Sequence, residues 1–233
     1  MKQIITQHGW CLNSNMWFNL KNKFKEENYY WQDNERGYFK GKFKDSKWKE
    51  NNSDPNLKII LSHSLGTQLI NRNVLKNASH AILINSFFNF LPKSNRRNLI
   101  KRTLQKMEKK IQTKEVKTLI REFITRAIYP HSLEKNFREL LRLNYEDINS
   151  NLLLDDLKKL YTETKNNNYF SRDCKILIIQ SKNDLILEDD SIKELIKILN
   201  IKQNKNPKII QLEDQGHIVV GNSIFNIIKN WLA

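Results

Sequence analysis

The sequence predicts an α/β fold in which a mostly parallel sheet is covered by helices on both faces. Short apolar segments of β type alternate with segments of helical periodicity at both ends of the chain, and this alternation is typical of a parallel sheet. The middle of the chain shows helical periodicities and no strand pattern. With 233 residues, the chain can form one large core. We therefore expect one sheet domain interrupted by a helical insertion.

The first part of the chain contains four predicted strands and two predicted helices. The strands are residues 3–7, 29–32, 58–61 and 80–84. Residues 15–27 form the first helix, because their apolar side chains recur at helical spacing. A second helix is expected to follow Ser64, with Leu65, Leu69, Ile70 and Val74 on its faces. Residues 33–56 are polar and contain glycines and a proline, which favours a loop.

Residues 92–166 form the predicted insertion, a helical cap, and residues 1–91 and 167–233 form the core. One apolar stripe of the cap contains Ile100, Leu104, Met107 and Ile111. A second stripe runs from Val116 to Ile128, and further helices are expected at 133–143 and 152–165. Ligands of parallel sheets bind beyond the carboxyl ends of the strands. We therefore expect the cap to lie over that edge.

Strands and helices alternate again after the cap. Residues 175–180 and 208–212 are predicted strands. The helix between them is expected to start with a capping box made by Ser191 and Glu194. Residues 224–232 form the last predicted helix.

The charge of the chain is strongly positive and unevenly distributed. The net charge is +15, and residues 93–142 contain 15 Lys and Arg against 5 Asp and Glu, a net of +10. Such a segment attracts acidic proteins, nucleic acids or membrane surfaces. The chain is also rich in Lys, Asn and Ile throughout, so a compositional bias is the alternative explanation.

The sequence predicts a cytoplasmic protein. No apolar run approaches the roughly 20 residues of a membrane helix, and no signal-peptide core follows Met1. Cys11 and Cys174 do not make a disulfide framework and fit a reducing compartment. We expect a monomer that binds neither nucleic acid nor membranes, because no motif for either partner is found.

Ser64 is the candidate nucleophile. The segment Ser62-His63-Ser64-Leu65-Gly66 follows an apolar strand and precedes a helix. A tight strand-to-helix turn holds a serine hydroxyl exposed. The start of the following helix favours developing negative charge, since its backbone N–H groups are free.

Two residues after later strands can complete a catalytic triad with this serine. His217 follows the last strand and is the candidate general base, whereas His63 is expected to point away from Ser64. Asp184 follows the strand at 175–180 and is the candidate that orients the imidazole. Asp189 and Asp190 are alternatives, although their position suits the start of a helix.

Backbone amides are expected to stabilise the oxyanion. One is the amide of Leu65, the residue after the nucleophile. The other is the amide of Trp10, in the loop after the first strand, where Gly9 lets the backbone turn inward. No metal-ligand cluster and no phosphate-binding loop is found, so no cofactor and no metal is expected.

These residues together resemble the α/β-hydrolase family. The segment His8-Gly9-Trp10-Cys11-Leu12-Asn13, the serine turn, Asn183-Asp184 and Gly216-His217 are similar to those of pimeloyl-acyl carrier protein methyl ester carboxylesterases. The resemblance implies an α/β-hydrolase fold with an inserted cap. It also implies a serine esterase that cleaves this methyl ester during biotin synthesis, with the acidic acyl carrier protein as partner. The chain departs from the family pattern at Ser62, where a glycine is usual.

The esterase hypothesis needs residues that bind the substrate and the carrier, and the sequence offers candidates for both. Trp10, Phe87, Phe88 and Phe123 are candidates for the acyl channel, and core packing is the alternative for each. Lys114, Lys117 and Arg121 are candidates for the carrier surface. Two other functions stay open from the sequence alone. One is an esterase or thioesterase with a different acyl substrate, and the other is a binding protein without catalysis.

Overall fold

The computed structural model describes residues 1–39, 41–50, 57–132, 147–163, 169–219 and 223–233. Its sheet has six strands: β1 (Lys2–Gln7), β2 (Tyr30–Asp33), β3 (Leu57–His63), β4 (His80–Ile84), β5 (Lys175–Ser181) and β6 (Lys208–Leu212). All are parallel, and their spatial order is β2-β1-β3-β4-β5-β6. The predicted parallel sheet is confirmed.

Eight α-helices fall within the described residues. They are α1 (Phe18–Glu26), α2 (Gly66–Leu69), α3 (Arg72–Lys76), α4 (Arg97–Gln112), α5 (Val116–Ala127), α6 (Ser150–Lys159), α7 (Asp189–Lys202) and α8 (Ser223–Leu232). A short 3-10 helix, Ser14–Trp17, precedes α1. The predicted helix at 133–143 lies outside the described residues.

The four central strands, β1, β3, β4 and β5, are largely buried on both faces, as strands of parallel sheets generally are, whereas the edge strands β2 and β6 are more exposed. On one face, strand residues such as Ile5, Ile60 and Ile178 pack with α3 and α7. On the other face, residues such as Ile4 and Ile59 pack with Phe24 of α1 and Ile228 of α8. The same cluster also contains Ile82, Leu177 and Ile179. Strands β3, β4 and β5 therefore contain almost continuous apolar runs, which made them visible in the sequence.

The prediction of one continuous helix after Ser64 is wrong, because two short helices are found there. Strand β3 extends to His63, and the helix that follows is only the four residues of α2. The chain then becomes extended at Ile70, with φ −76° and ψ 141°. Asn71 starts a new helix, α3, because its side chain accepts a hydrogen bond from the amide of Asn73 at 2.9 Å.

Two other helix boundaries also differ from prediction. Helix α6 ends at Lys159, so the helix expected over 152–165 is shorter at its C-terminal end. The capping box of Ser191 and Glu194 is wrong. Helix α7 begins at Asp189, and the Ser191 hydroxyl donates to the carbonyl of Phe90 at 2.9 Å. Glu194 instead pairs with Lys93 at 2.7 Å.

Helices α4, α5 and α6 are inserted between β4 and β5. Their apolar residues, including Leu104, Ile120 and Leu153, form one buried cluster with Trp10 and Leu65 from the loops at the carboxyl edge of the sheet. The helices therefore pack over that edge. The division of the chain at residues 92 and 166 stays a prediction.

A buried carboxylate joins this insertion to the core. Asp156 of α6 is fully buried and accepts two hydrogen bonds from the Arg36 guanidinium, at 2.6 and 2.8 Å. The Tyr38 hydroxyl donates to the same carboxylate at 2.6 Å, and Lys159 completes the cluster. Burial acts to raise the pKa of Asp156, but these donors hold that pKa below its usual value.

Backbone groups tie the same two parts together. The Trp10 indole donates to the carbonyl of Leu153 in α6 at 2.8 Å. The amide of Ile218 donates to the carbonyl of Ala127 in α5 at 2.8 Å. The insertion is therefore held directly by loops that carry candidate site residues.

Two further observations apply to the described ranges only. No helix there is long and apolar enough to cross a bilayer. No group of three or more His, Cys, Asp or Glu side chains there is placed to hold a metal ion.

Replacing Asp156 with Ala is expected to destabilise the protein strongly. The change leaves the Arg36 guanidinium without its carboxylate, and breaking a buried ion pair in this way costs about 3–5 kcal/mol. Urea denaturation measures the free energy of unfolding. Asp155→Ala is the matched control, because Asp155 is the exposed neighbour on the same helix. Equal stabilities of the two variants would contradict the role given to Asp156.

Candidate active site

Ser64 lies at a strained turn between β3 and α2. Its φ is +54°, in the left-handed region, and its amide donates to the carbonyl of Ile84 at 2.9 Å. The turn packs closely on β1. A Cβ added to Gly66 would lie 2.6 Å from the carbonyl oxygen of Gln7, so only glycine fits there. Strain of this kind persists where the surroundings over-determine it, and it holds the serine side chain clear of the helix.

His217 links Ser64 to Asp184. Its Nε2 lies 2.8 Å from the Ser64 Oγ, and its Nδ1 lies 2.7 Å from Oδ2 of Asp184. An ionised carboxylate only accepts hydrogen bonds, so Nδ1 carries the proton and Nε2 is free to accept the serine proton. The structure thus brings together the three residues proposed from the sequence, in the geometry of a catalytic triad.

The Asp184 carboxylate is buried, and both of its oxygens accept hydrogen bonds. Its side chain is 3% exposed, and its Oδ1 accepts from the amides of Ile186 and Leu187 at 2.7 and 3.0 Å. Burial acts to raise the pKa of Asp184, but His217 and the two amides outweigh it and keep that pKa below the usual value. Asp189 and Asp190, the alternatives, lie in the first turn of α7.

His63 supports His217 instead of competing with it. Its Nε2 donates to the backbone carbonyl of His217 at 2.7 Å, and the two rings are 4.9 Å apart at their centroids. Burial, together with neighbouring His217, lowers the pKa of His63 to about 3. The His63 ring is therefore neutral at physiological pH and acts as a donor to the His217 loop.

The two amides expected at the oxyanion site lie beside the nucleophile. Leu65 caps α2, so its amide belongs to the free N-terminal end of that helix. A Cβ added to Gly9 would lie 2.9 Å from the Cβ of Ser64, which shows that the loop carrying Trp10 passes directly over the turn. The structure records no acceptor for the amide of Leu65 or Trp10 among the described residues. Neither amide is therefore committed to another group of the described residues, and their role at the oxyanion stays a prediction.

A cavity of about 370 Å³ leads to Ser64 and His217. Its walls are mainly apolar and come from the core loops and the inserted helices. They include Trp10, Leu65, Phe87, Phe90, Ile100, Leu104, Met107, Leu119, Phe123, Leu160, Leu185 and Ile186. Arg96, Glu122, Arg126 and Glu188 also line it. The contribution of α4 follows from the apolar stripe that the sequence predicted for that helix.

The structure separates the two adjacent phenylalanines. Phe87 lines the cavity, as does Phe123, whose ring meets the Trp10 indole edge-on at 5.0 Å. Phe88 does not line it. Its ring stacks on the ring of Tyr169, with the two centroids 4.9 Å apart, in the cluster that packs with α3 and α7 on one face of the sheet. The assignment of Phe88 to the acyl channel is therefore wrong, and core packing is its role.

Lys114, Lys117 and Arg121 lie outside the cavity, on α5 and the turn before it. All three are exposed, and no carboxylate partner is found for them among the described residues. Their role stays a prediction.

A buried hydroxyl pair occupies the position where the family pattern has glycine. The Ser62 Oγ lies 2.7 Å from the Oγ1 of Thr67, and both residues are fully buried. Each hydroxyl satisfies the other, so the serine is accommodated without an unpaired polar atom. Thr67 was not singled out from the sequence, although it lies only five residues from Ser62.

This combination defines the α/β-hydrolase fold: a parallel sheet, a serine at the turn after β3, an aspartate after β5 and a histidine after β6. Solved structures with the same fold confirm it. An esterase from Exiguobacterium antarcticum has a TM-score of 0.67 and 17% identity, with 100% of this chain and 89% of that chain covered. A bromoperoxidase from Bacillus anthracis has a TM-score of 0.71 and 15% identity, with 99% and 91% covered.

BioG from Haemophilus influenzae also shares the fold, with a TM-score of 0.55, 13% identity, and 94% of this chain and 89% of that chain covered. No protein-family model and no curated protein sequence matches this chain. At these identities the comparisons show the fold, and the reaction must be argued from the site.

Removing one hydroxyl of the buried pair is expected to lower the free energy of unfolding more than removing both. Ser62→Ala leaves the Thr67 hydroxyl buried without a partner, which costs about 1–3 kcal/mol. Adding Thr67→Val removes that unpaired group and should restore most of the loss. Urea denaturation of the single and double variants measures the difference. A double variant less stable than Ser62→Ala would contradict the hydrogen bond described here.

Proposed function

We propose that this protein is a serine carboxylesterase. The observation that carries the proposal is the hydrogen-bonded chain from Ser64 through His217 to Asp184, open to an apolar cavity. In that arrangement the Ser64 hydroxyl has a base within hydrogen-bond distance, and the base has a buried anion that stabilises its protonated form.

The reaction proceeds in two halves. Ser64 Oγ attacks the ester carbonyl carbon while its proton passes to Nε2 of His217. The carbonyl oxygen becomes an oxyanion that the amides of Leu65 and Trp10 stabilise. The carbon–oxygen bond to the alcohol then breaks, and His217 returns the proton to that alcohol. Water repeats the sequence on the acyl-enzyme, which releases the carboxylic acid and regenerates Ser64.

Substitution of the triad should abolish ester hydrolysis without unfolding the protein. Ser64→Ala is expected to remove turnover of p-nitrophenyl butyrate and labelling by a fluorophosphonate probe. Asp184→Asn should lower kcat by about 10⁴-fold, because the imidazole then takes the wrong tautomer. Asp189→Asn is the control and should retain the wild-type kcat. Turnover or labelling that survives Ser64→Ala would refute the proposal.

Within this class, we propose the methyl ester of pimeloyl-acyl carrier protein as substrate. The motifs around Trp10, Ser64 and His217 support it through their resemblance to esterases of that specificity. The apolar lining of the cavity also supports it, because it suits an aliphatic chain. Methanol is then the first product, and pimeloyl-acyl carrier protein is the second. We place the enzyme in the cytoplasm as a monomer.

The proposed partner surface consists of Lys114, Lys117 and Arg121. Lys117 and Arg121 lie on α5, the helix that also places Phe123 against the cavity, and Lys114 lies in the turn before it. An acidic carrier bound to these cations contacts the same inserted helix that forms part of the cavity wall. Opposite charge of this kind increases the association rate and is screened by salt.

Reversing two of these charges should affect only a carrier-linked substrate. Lys117→Glu/Arg121→Glu is expected to lower kcat/KM for the carrier-linked methyl ester about tenfold or more at low salt, since charged rim residues mainly change association. The kcat/KM for p-nitrophenyl butyrate should not change. Lys205→Glu, in the loop before β6 and at the opposite edge of the sheet, is the control. Growth without biotin in a host lacking its own esterase gives an independent readout, and wild type should restore it.

A different acyl substrate is the second candidate. The apolar lining favours it equally, because such walls discriminate weakly between chain lengths. In that case the charge-reversed variant loses no more activity on the carrier-linked ester than on the free ester. Wild-type protein that is produced well also fails to restore growth without biotin.

A further inference from the structure

Asn85 is a buried amide at the junction of the three catalytic segments. It is the first residue after β4, is 1% exposed, and has a φ of +43°. Its backbone amide donates to the carbonyl of Ile179 at 2.9 Å. The residue before it, Ile84, accepts the hydrogen bond from the amide of Ser64. Asn85 thus follows directly the residue that anchors the nucleophile.

The hydrogen bonds of the side chain fix its orientation. Oδ1 accepts from the amide of Ser181 at 2.8 Å, which leaves Nδ2 as the donor. Nδ2 faces three acceptors: the Ser181 Oγ at 2.9 Å and the carbonyls of Gly216 and His217 at 3.1 and 2.8 Å. One side chain therefore joins the start of the loop that carries Asp184 to the loop that carries His217.

The backbone of His217 is held on both sides. Its carbonyl accepts from Asn85 and from Nε2 of His63 at 2.7 Å. The next amide, that of Ile218, donates to the carbonyl of Ala127 in α5. The position of the imidazole relative to Ser64 depends on this backbone, because the ring has only two rotatable bonds beyond it.

We propose that Asn85 is a positioning residue for His217. It touches none of the reacting atoms. It holds the His217 carbonyl and the end of β5 at a fixed separation, so that the imidazole spans Ser64 and Asp184. The inference rests on the esterase chemistry proposed above. Misplacement of a catalytic group by about 1 Å can cost on the order of 100-fold in rate.

Steady-state kinetics on p-nitrophenyl butyrate test this role. Asn85→Gly suits the positive φ and removes every side-chain hydrogen bond. Asn85→Asp keeps the size and the acceptor for the Ser181 amide but replaces the donor. Ser181→Ala removes one acceptor and leaves Asn85 bonded to His217. Asn28→Gly is the matched control, because Asn28 is exposed and has a φ of +62°.

Asn85→Gly and Asn85→Asp are expected to lower kcat by about 10- to 100-fold, with KM within about threefold of wild type. Ser181→Ala and Asn28→Gly should keep kcat within about threefold. Circular dichroism at the assay temperature verifies that each variant is folded. A merely structural role would lower the melting temperature without this difference between kcat and KM. If Asn85→Gly does not fold, the kcat and KM of Asn85→Asp test the proposal, with the same expected ranges.

The outcomes separate the two proposals. Wild-type protein without ester hydrolysis that depends on Ser64 overturns both the esterase function and the role of Asn85. Active wild-type protein with an unchanged kcat in the folded Asn85 variants overturns only the role of Asn85. A loss of kcat in Ser181→Ala equal to that in Asn85→Gly also overturns it, because the contact with His217 would then not be the cause.

Discussion

The parallel register of β3, β4 and β5 is the constraint on which the site depends. In this register His63 pairs with Ile84, and Ile84 pairs with Ile179. The three strands therefore end at the same edge of the sheet. Ser64 and Asn85 emerge side by side, and Asp184 follows three residues after the end of β5. A slip of one residue would send the side chains of a strand to the opposite face. The side chains of the two faces pack against different helices, so such a slip would disrupt both packed clusters.

Much of the fold and the triad could be predicted because the signals are local. Most strands contain a short apolar run, and Ser64, Asp184 and His217 each follow a strand within a few residues. Knowing that parallel strands end at one edge then suffices to bring the three together. The apolar stripe from Ile100 to Met107 likewise gave both α4 and part of the cavity wall.

The features that sequence reasoning missed depend on contacts between distant residues or on a choice between two patterns. Asn85 has partners 96 and 132 positions away, and nothing in its own segment indicates them. The apolar spacing from Leu65 to Val74 suited one helix, yet the side chain of Asn71 caps a second one. Phe87 and Phe88 look alike in sequence, but adjacent residues leave the backbone in different directions and only one reaches the cavity.

The contacts between the inserted helices and the core bear on how freely such an insertion can be exchanged. The indole of Trp10, the amide of Ile218 and the guanidinium of Arg36 each bond to a particular group of α5 or α6. Two of these three groups, the indole and the amide, lie in the loops that carry the proposed oxyanion donor Trp10 and the proposed base His217. An insertion transplanted from another hydrolase must therefore supply two backbone carbonyls and one buried carboxylate at the same places. In this molecule the insertion is less an independent module than a part of the scaffold that holds the catalytic loops.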